Sequence, residues 1–181
     1  MTSYRATSAE INLEAFRHNL RTIKCLVGPD AATMAIIKAD AYGHGAIPCA
    51  RAALEEGVDY FGVGIIQEGI ELRENGITSP ILILGGIHPN EVKDLIKHKL
   101  STSLATSTLA YTISDQAKRA GVKVGIHIKV DTGMGRLGVQ PENFTCLLAD
   151  VMNYKNLQIE GIFTHLACAD DEDPEVAEVV R

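Results

Sequence analysis

The 181-residue chain has no tryptophan, and only 5% of its residues are aromatic, which leaves little with which to build stacking platforms for bases or sugars. Paired cysteines are missing too. Cys25, Cys49, Cys146 and Cys168 are widely separated, with no C-x-x-C, so the spacing signatures of a zinc site and of a disulfide framework are both absent, and four reduced thiols are expected. Basic charge is not in excess: 17 Lys and Arg stand against 23 Asp and Glu, a net charge of −6, which argues against coating nucleic acid or an anionic membrane. No apolar run approaches the roughly 18 residues of a membrane span, and the first residues, Met1 to Glu10, are polar. A soluble, cytoplasmic protein is therefore expected. Apolar residues, by contrast, make up 46% of the chain, enough for a packed core and too many for a disordered chain. The length by itself fits one domain.

The apolar residues fall into two alternating patterns. Leu13, Phe16, Leu20, Ile23 and Val27 recur at helical spacing, with Asn12 as N-cap and Gly28-Pro29 as stop. Beyond them, Thr33 to Lys38, Tyr60 to Ile65, Ile81 to Leu84, Leu100 to Leu104, Val124 to Val130 and Gln158 to Thr164 read as strands. Helical segments around Ile47 to Glu56, Glu68 to Asn75, Glu91 to His98, Leu109 to Ala120 and Glu142 to Asn153 lie between them, several ending at glycine. Strands this apolar, every one but the last followed by a helix, predict a parallel sheet with helices on its faces. Strand starts recur about every 25 residues, so six strands would complete a doubly wound sheet, whereas a (β/α)8 barrel needs about 250 residues. Asp173-Pro174-Glu175 opens a further helix, with Val176, Val179 and Val180 as its apolar stripe; the sequence stops at Arg181 within about two turns of that start, which reads as an interrupted βα unit.

Polar residues at the C-terminal ends of parallel strands are where such folds carry their chemistry. Lys38 ends the first strand and leads into the loop Ala39 to Gly45, which contains Tyr42. A lysine desolvated at a strand mouth can offer a free amine for Schiff-base formation or proton transfer; the alternative is a surface lysine snorkelling from a strand end. Lys129 lies near the end of the fifth strand and by alternation shares a face with His127 and Asp131, so a structural salt bridge to Asp131 is its competing role. The next residues, Asp131 to Gly138, combine three glycines with Arg136, whose rigid fork suits a carboxylate or phosphate; their spacing does not match a dinucleotide fingerprint. His165 closes the sixth strand, where its ring can pack on a cofactor. Lys38, Lys129, Arg136 and His165 together would gather positive charge at one mouth, which favours a small ligand with more than one negative group. The cations also require a compensating anion, which the residues do not identify.

Three blocks, IIKADAYGHG (Ile36 to Gly45), KVDTGMGRLG (Lys129 to Gly138) and GIFTHLACAD (Gly161 to Asp170), resemble the signature blocks of bacterial alanine racemase, and AEINLEAFRHNL (Ala9 to Leu20) is similar to that family's first helix. The resemblance runs in order through nearly the whole chain. It implies an α/β fold, a pyridoxal 5′-phosphate (PLP)-dependent (β/α)8 TIM barrel followed by a β-rich domain in a homodimer, with residues 1–181 as an N-terminal PLP-binding barrel domain truncated to about six βα units. It implies that Lys38 is the Schiff-base lysine and the proton acceptor for D-alanine, that Tyr42 helps to bind the cofactor phosphate, and that Arg136 positions the substrate carboxylate and hydrogen-bonds the cofactor. Lys129 matches a lysine often carbamylated in the family, which would supply the missing anion. His165 resembles a histidine beside the cofactor ring. In the family the opposing base is a tyrosine from the partner's C-terminal domain, so this chain is expected to be inactive alone. No nucleic-acid or membrane partner is expected, and no metal. The competing readings are a serine or broad-specificity racemase, a non-catalytic PLP-binding barrel, and a scaffold without cofactor.

Overall fold

The computed structural model describes residues 7–169. Helix α1 (Leu13–Val27) starts where the Asn12 side chain accepts the Ala15 amide at 3.0 Å and stops at Gly28, whose φ of 76° ends the right-handed turn. Half-buried Leu13, Phe16 and Leu20 pack against the core. Arg17 and Arg21 also bind Glu55 and Glu56, tying α1 to the end of the next long helix.

Five βα steps and a sixth strand follow. Strand β1 (Met34–Ile36) leads into α2 (Lys38–Gly43), a single turn, and α3 (Ala46–Glu55); β2 (Tyr60–Val63) into α4 (Ile66–Glu74); β3 (Ile81–Ile83) into a 3₁₀ turn (Pro89–Glu91) and α5 (Val92–Lys97). Then come β4 (Ser101–Leu104) with α6 (Ser107–Ala120), β5 (Val124–Lys129) with α7 (Pro141–Met152), and β6 (Leu157–Phe163). The expected elements that fall within the described residues are present, with ends moved by a few residues. The expected helix from Asp173 lies outside the described residues.

The strands form one parallel sheet in the order β1-β2-β3-β4-β5-β6. That order separates the two architectures left open by strand spacing, because a doubly wound sheet reverses its strand order at a switch point, whereas a barrel adds each strand beside the last. The sheet also curls: Met34 and Ile36 of β1 line the same cavity as Phe163 of β6. The fold is α/β, with six consecutive strands of a (β/α)8-type barrel.

The two sides of the sheet explain the sequence pattern. In β5, Val124, Ile126 and Ile128 are buried on the helix side, while Gly125, His127 and Lys129 face the lumen. Phe61, Val63, Ile81, Ile83, Leu104, Ile113 and Leu95 fill the layer between sheet and helices with at most 1% exposure, each such side chain contributing about 1.5–3 kcal/mol. A bulge shifts the β5–β6 register so that Ile126 faces Ile159 but His127 faces Gly161. The extra residue is Glu160, whose carboxylate lies 3.5 Å from His127 Nε2 and accepts Ser101 Oγ at 2.7 Å. This bulge re-aims a carboxylate into the lumen.

Candidate functional site

The segment after β1, expected to be a loop, is a left-handed helical turn. Ala39, Asp40, Ala41 and Tyr42 have φ between 50° and 57° and ψ between 35° and 52°. Left-handed geometry costs roughly 1–2 kcal/mol per non-glycine residue, so four in succession form only where neighbouring structure fixes them. Several bonds do so. Asp40 Oδ1 accepts the Ala46 amide at 2.6 Å, Asp40 O accepts Gly45 N–H at 2.9 Å, and Glu68 Oε1 on α4 accepts Ala39 N–H at 2.7 Å. The turn carries Lys38 and Tyr42 to one mouth, with the Lys38 ammonium 5.8 Å from the Tyr42 ring centroid.

The loop after β5 is built differently. Val139 N–H donates to Lys129 O at 2.8 Å and Asp131 N–H donates to Val139 O at 2.9 Å, so the loop closes on its own stem. Inside it the Asp131 carboxylate, 6% exposed, accepts Gly135 N–H at 3.0 Å and Gly133 N–H at 3.2 Å. These amides, Gly135 first, hold the Asp131 carboxyl below the usual carboxylate range. Asp131 therefore serves its own loop, and it forms no salt bridge with Lys129. Lys129 is 7% exposed, its amine 5.2 Å from the Phe163 ring centroid. Burial, then the charges of Arg136 and Lys38, push its pKa down from the ordinary lysine value, with Asp131 opposing.

All five sequence candidates converge. Lys38, Tyr42, Lys129, Arg136 and His165 line one cavity of about 370 Å³ at the C-terminal ends of the strands. His165 sits just beyond β6 rather than closing it. The cavity's wall includes Gly64 and Gly85, and a Cβ on Gly85 would collide with the Gly64 carbonyl oxygen. A flat wall of backbone, two amines, a guanidinium, an imidazole and a phenol suit a planar ligand that carries two anionic groups. The described anion nearest in effect to Lys129 is Asp131, already engaged by its amides. Sequence reasoning missed Glu68, because an acid in the first turn of a helix has an ordinary capping role.

Below this mouth, burial lowers the His127 pKa against the opposing pull of Glu160. No cluster of potential metal ligands occurs among the described residues, and no described helix is long and apolar enough to cross a membrane.

Residues 11–180 match the family model described as alanine racemase, N-terminal domain. The chain is 43% identical over 169 residues to the alanine racemase of Desulfovibrio desulfuricans, covering 93% of this chain and 46% of that protein. It superposes on the solved alanine racemase of Clostridium difficile 630 in complex with cycloserine with a TM-score of 0.93 at 41% identity, covering 98% of this chain and 49% of that one. A histidine racemase from Leuconostoc mesenteroides matches with a TM-score of 0.88 at 25% identity, covering 98% of this chain and 48% of that one. The chain thus spans about half the length of the curated relatives it matches.

Proposed function

Since the chain belongs to the alanine racemase family, we propose that it forms the cofactor-holding part of a PLP-dependent alanine racemase that interconverts L- and D-alanine, with residues 1–181 as its N-terminal barrel domain. The observation that carries this reading is the convergence of Lys38, Tyr42, Lys129, Arg136 and His165 on one cavity. The cavity fits the cofactor on its own chemistry: it offers an amine for the aldehyde, a phenol and cations for the phosphate, and a glycine wall against which a flat ring can lie. When bound, PLP supplies an electron sink that makes the substrate Cα proton removable.

The protein's share is orientation and proton handling. Lys38 would hold the cofactor and, when its amine is free, would take or return the Cα proton. Tyr42, on the same left-handed turn, would serve the phosphate with its hydroxyl. Arg136 would offer its fork to the substrate carboxylate. His165 would help to enclose the cofactor.

Burial and the charges of Arg136 and Lys38 make the Lys129 amine easier to deprotonate than an ordinary lysine. Once that first proton has left, the neutral nitrogen can bond to CO₂ with loss of a second proton to solvent, leaving a carbamate. This exchange provides an anion between the two remaining cations, Lys38 and Arg136.

Racemisation requires a proton-handling group on each face of Cα. Lys38 serves as one of them in this reading; because the chain spans about half the length of its curated relatives, the reading assigns the opposite group to a part of the enzyme other than residues 1–181, which alone do not racemise. Stereoinversion of alanine by this chain alone would overturn that part. The finer reading includes D-alanine supply to the cell wall, a cytoplasmic location and a homodimer. A histidine racemase shares this fold at a TM-score of 0.88, which supports a second reading in which this fold is compatible with other amino acids; turnover of L-histidine and L-serine against L-alanine by the active enzyme separates the two.

The cofactor reading is tested by adding PLP to the chain and recording its visible absorption. A new band, lost in Lys38→Ala, is expected, and borohydride followed by peptide mass analysis should place the added mass on Lys38. A band that persists in Lys38→Ala removes Lys38 from the role.

A further inference from the structure

Glu68 makes more bonds than a helix cap requires. At the third position of α4 its Oε2 accepts Gly64 N–H at 2.7 Å and Ile65 N–H at 3.3 Å, which satisfies amides at the helix start. Its other oxygen crosses to a different element and accepts the amide of Ala39 at 2.7 Å, the residue immediately after Lys38. Gly64 itself lies against the lysine, since a Cβ on it would be 3.5 Å from Lys38 Cβ. One carboxylate therefore holds the backbone on both sides of the Lys38 side chain.

A second glutamate in the same molecule supplies the comparison. Glu91 occupies the third position of the 3₁₀ turn after β3, and its Oε2 accepts His88 N–H at 2.7 Å. Among the described residues it bonds to nothing outside that turn. Capping alone thus leaves the second oxygen unused, whereas in Glu68 that oxygen anchors the first residue of a left-handed turn that glycine does not relieve at Ala39 through Tyr42.

We propose that Glu68 is a positioning residue: it fixes the left-handed turn and thereby sets where the Lys38 amine stands in the cavity. The role rests on the reading of Lys38 as the cofactor lysine, and it acts through the backbone without touching the cofactor. Glutamine at this position cannot replace it, because the amide has a single acceptor oxygen and would turn its N–H₂ toward either the Ala39 amide or the Gly64 and Ile65 amides.

The test compares Glu68→Gln with Glu91→Gln, which makes the same change of charge at a cap whose single bond the glutamine oxygen can keep. Without cofactor, amide exchange over residues 38–43 and the acetylation rate of Lys38, referenced to Lys93, are measured; PLP affinity is then titrated. Losing a bond to a charged acceptor should speed exchange in the turn and weaken PLP binding by about tenfold in Glu68→Gln, and raise Lys38 acetylation by about threefold, while Glu91→Gln changes none of these. Glu68→Asp, which keeps the charge but shortens its reach by one methylene, replaces the glutamine variant if that one does not fold. Exchange and acetylation that match the wild type overturn the proposal, as does an equal change in Glu91→Gln. Wild-type protein that fails to bind PLP would instead remove the cofactor reading, and the two cofactor-free measurements would still decide the role of Glu68.

Discussion

The Lys38 turn and the Arg136 loop both carry a cation to the same cavity, and each is organised by a carboxylate, yet they are held in opposite ways. In the Arg136 loop the organiser is local: Asp131 accepts amides two and four residues ahead, and Gly133, Gly135 and Gly138 supply the positive φ values. The Lys38 turn adds a remote organiser to the local bonds of Asp40: Glu68 lies 29 residues away on another βα unit, and the positive φ values fall on alanine, aspartate and tyrosine. A loop built from its own residues keeps its shape when neighbours move. A turn held from outside reports on its neighbours, and its lysine is only as well placed as the contact with α4.

The largest expected effect breaks the local side. Gly138 has φ of 136°, and a Cβ there would collide with Asp131 N and lie 2.7 Å from Val130 C, backbone that the pairing of Lys129 with Val139 holds in place. Gly138→Ala should cost about 3 kcal/mol, from steric overlap and a strained φ together. The denaturation midpoint measures it; a variant within experimental scatter of the wild type would mean that the loop does not need this close approach.

An intermediate effect lies between the two regions, at Lys129. Because its folded pKa is depressed, the unfolded chain holds a proton that the folded chain resists. The stability cost is full below the folded value and is relieved as pH rises toward the ordinary 10.5. In CO₂-free buffer Lys129→Met should therefore be more stable than the wild type at pH near 7 by about 1 kcal/mol, with the gain shrinking near pH 10. Adding bicarbonate should reduce the gain at neutral pH if the amine forms a carbamate. A gain that does not vary with pH would assign it to packing of the methionine alone.

The contrast also explains what could be read from the sequence. The strand–helix alternation was legible because burial on the helix side imposes an apolar pattern that hardly depends on the partner, as Val124, Ile126 and Ile128 illustrate. The Arg136 loop was legible for the same local reason, since glycines and an aspartate state their own geometry. All five candidates from the sequence line the cavity, although the recognition of family blocks, more than residue chemistry, singled them out. What was not legible depends on distant partners: Ala39 to Tyr42 carry no left-handed signal, Glu68 looks like an ordinary cap, and the bulge that turns Glu160 into the lumen appears only once β5 and β6 pair. Strand order, too, needed the structure, because spacing alone fits both a doubly wound sheet and a barrel.

The smallest effect sharpens the remote side, and its sign follows from two opposing costs. Ala39 is exposed and has φ of 50°, so its Cβ adds left-handed strain of roughly 1–2 kcal/mol that glycine would remove. Glycine in turn loses roughly 0.5–1 kcal/mol more than alanine to chain entropy on folding. The net expectation for Ala39→Gly is a stabilisation of about 0.5 kcal/mol, small because the methyl buries little. The same substitution should weaken the dependence of the Lys38 turn on Glu68, since a glycine turn needs less help to stay left-handed. In the double variant Ala39→Gly with Glu68→Gln, amide exchange over residues 38–43 should then be slower than in Glu68→Gln alone. If alanine and glycine at position 39 give equal stability and equal exchange, the backbone there carries no strain, and Glu68 would be anchoring a turn that forms without it.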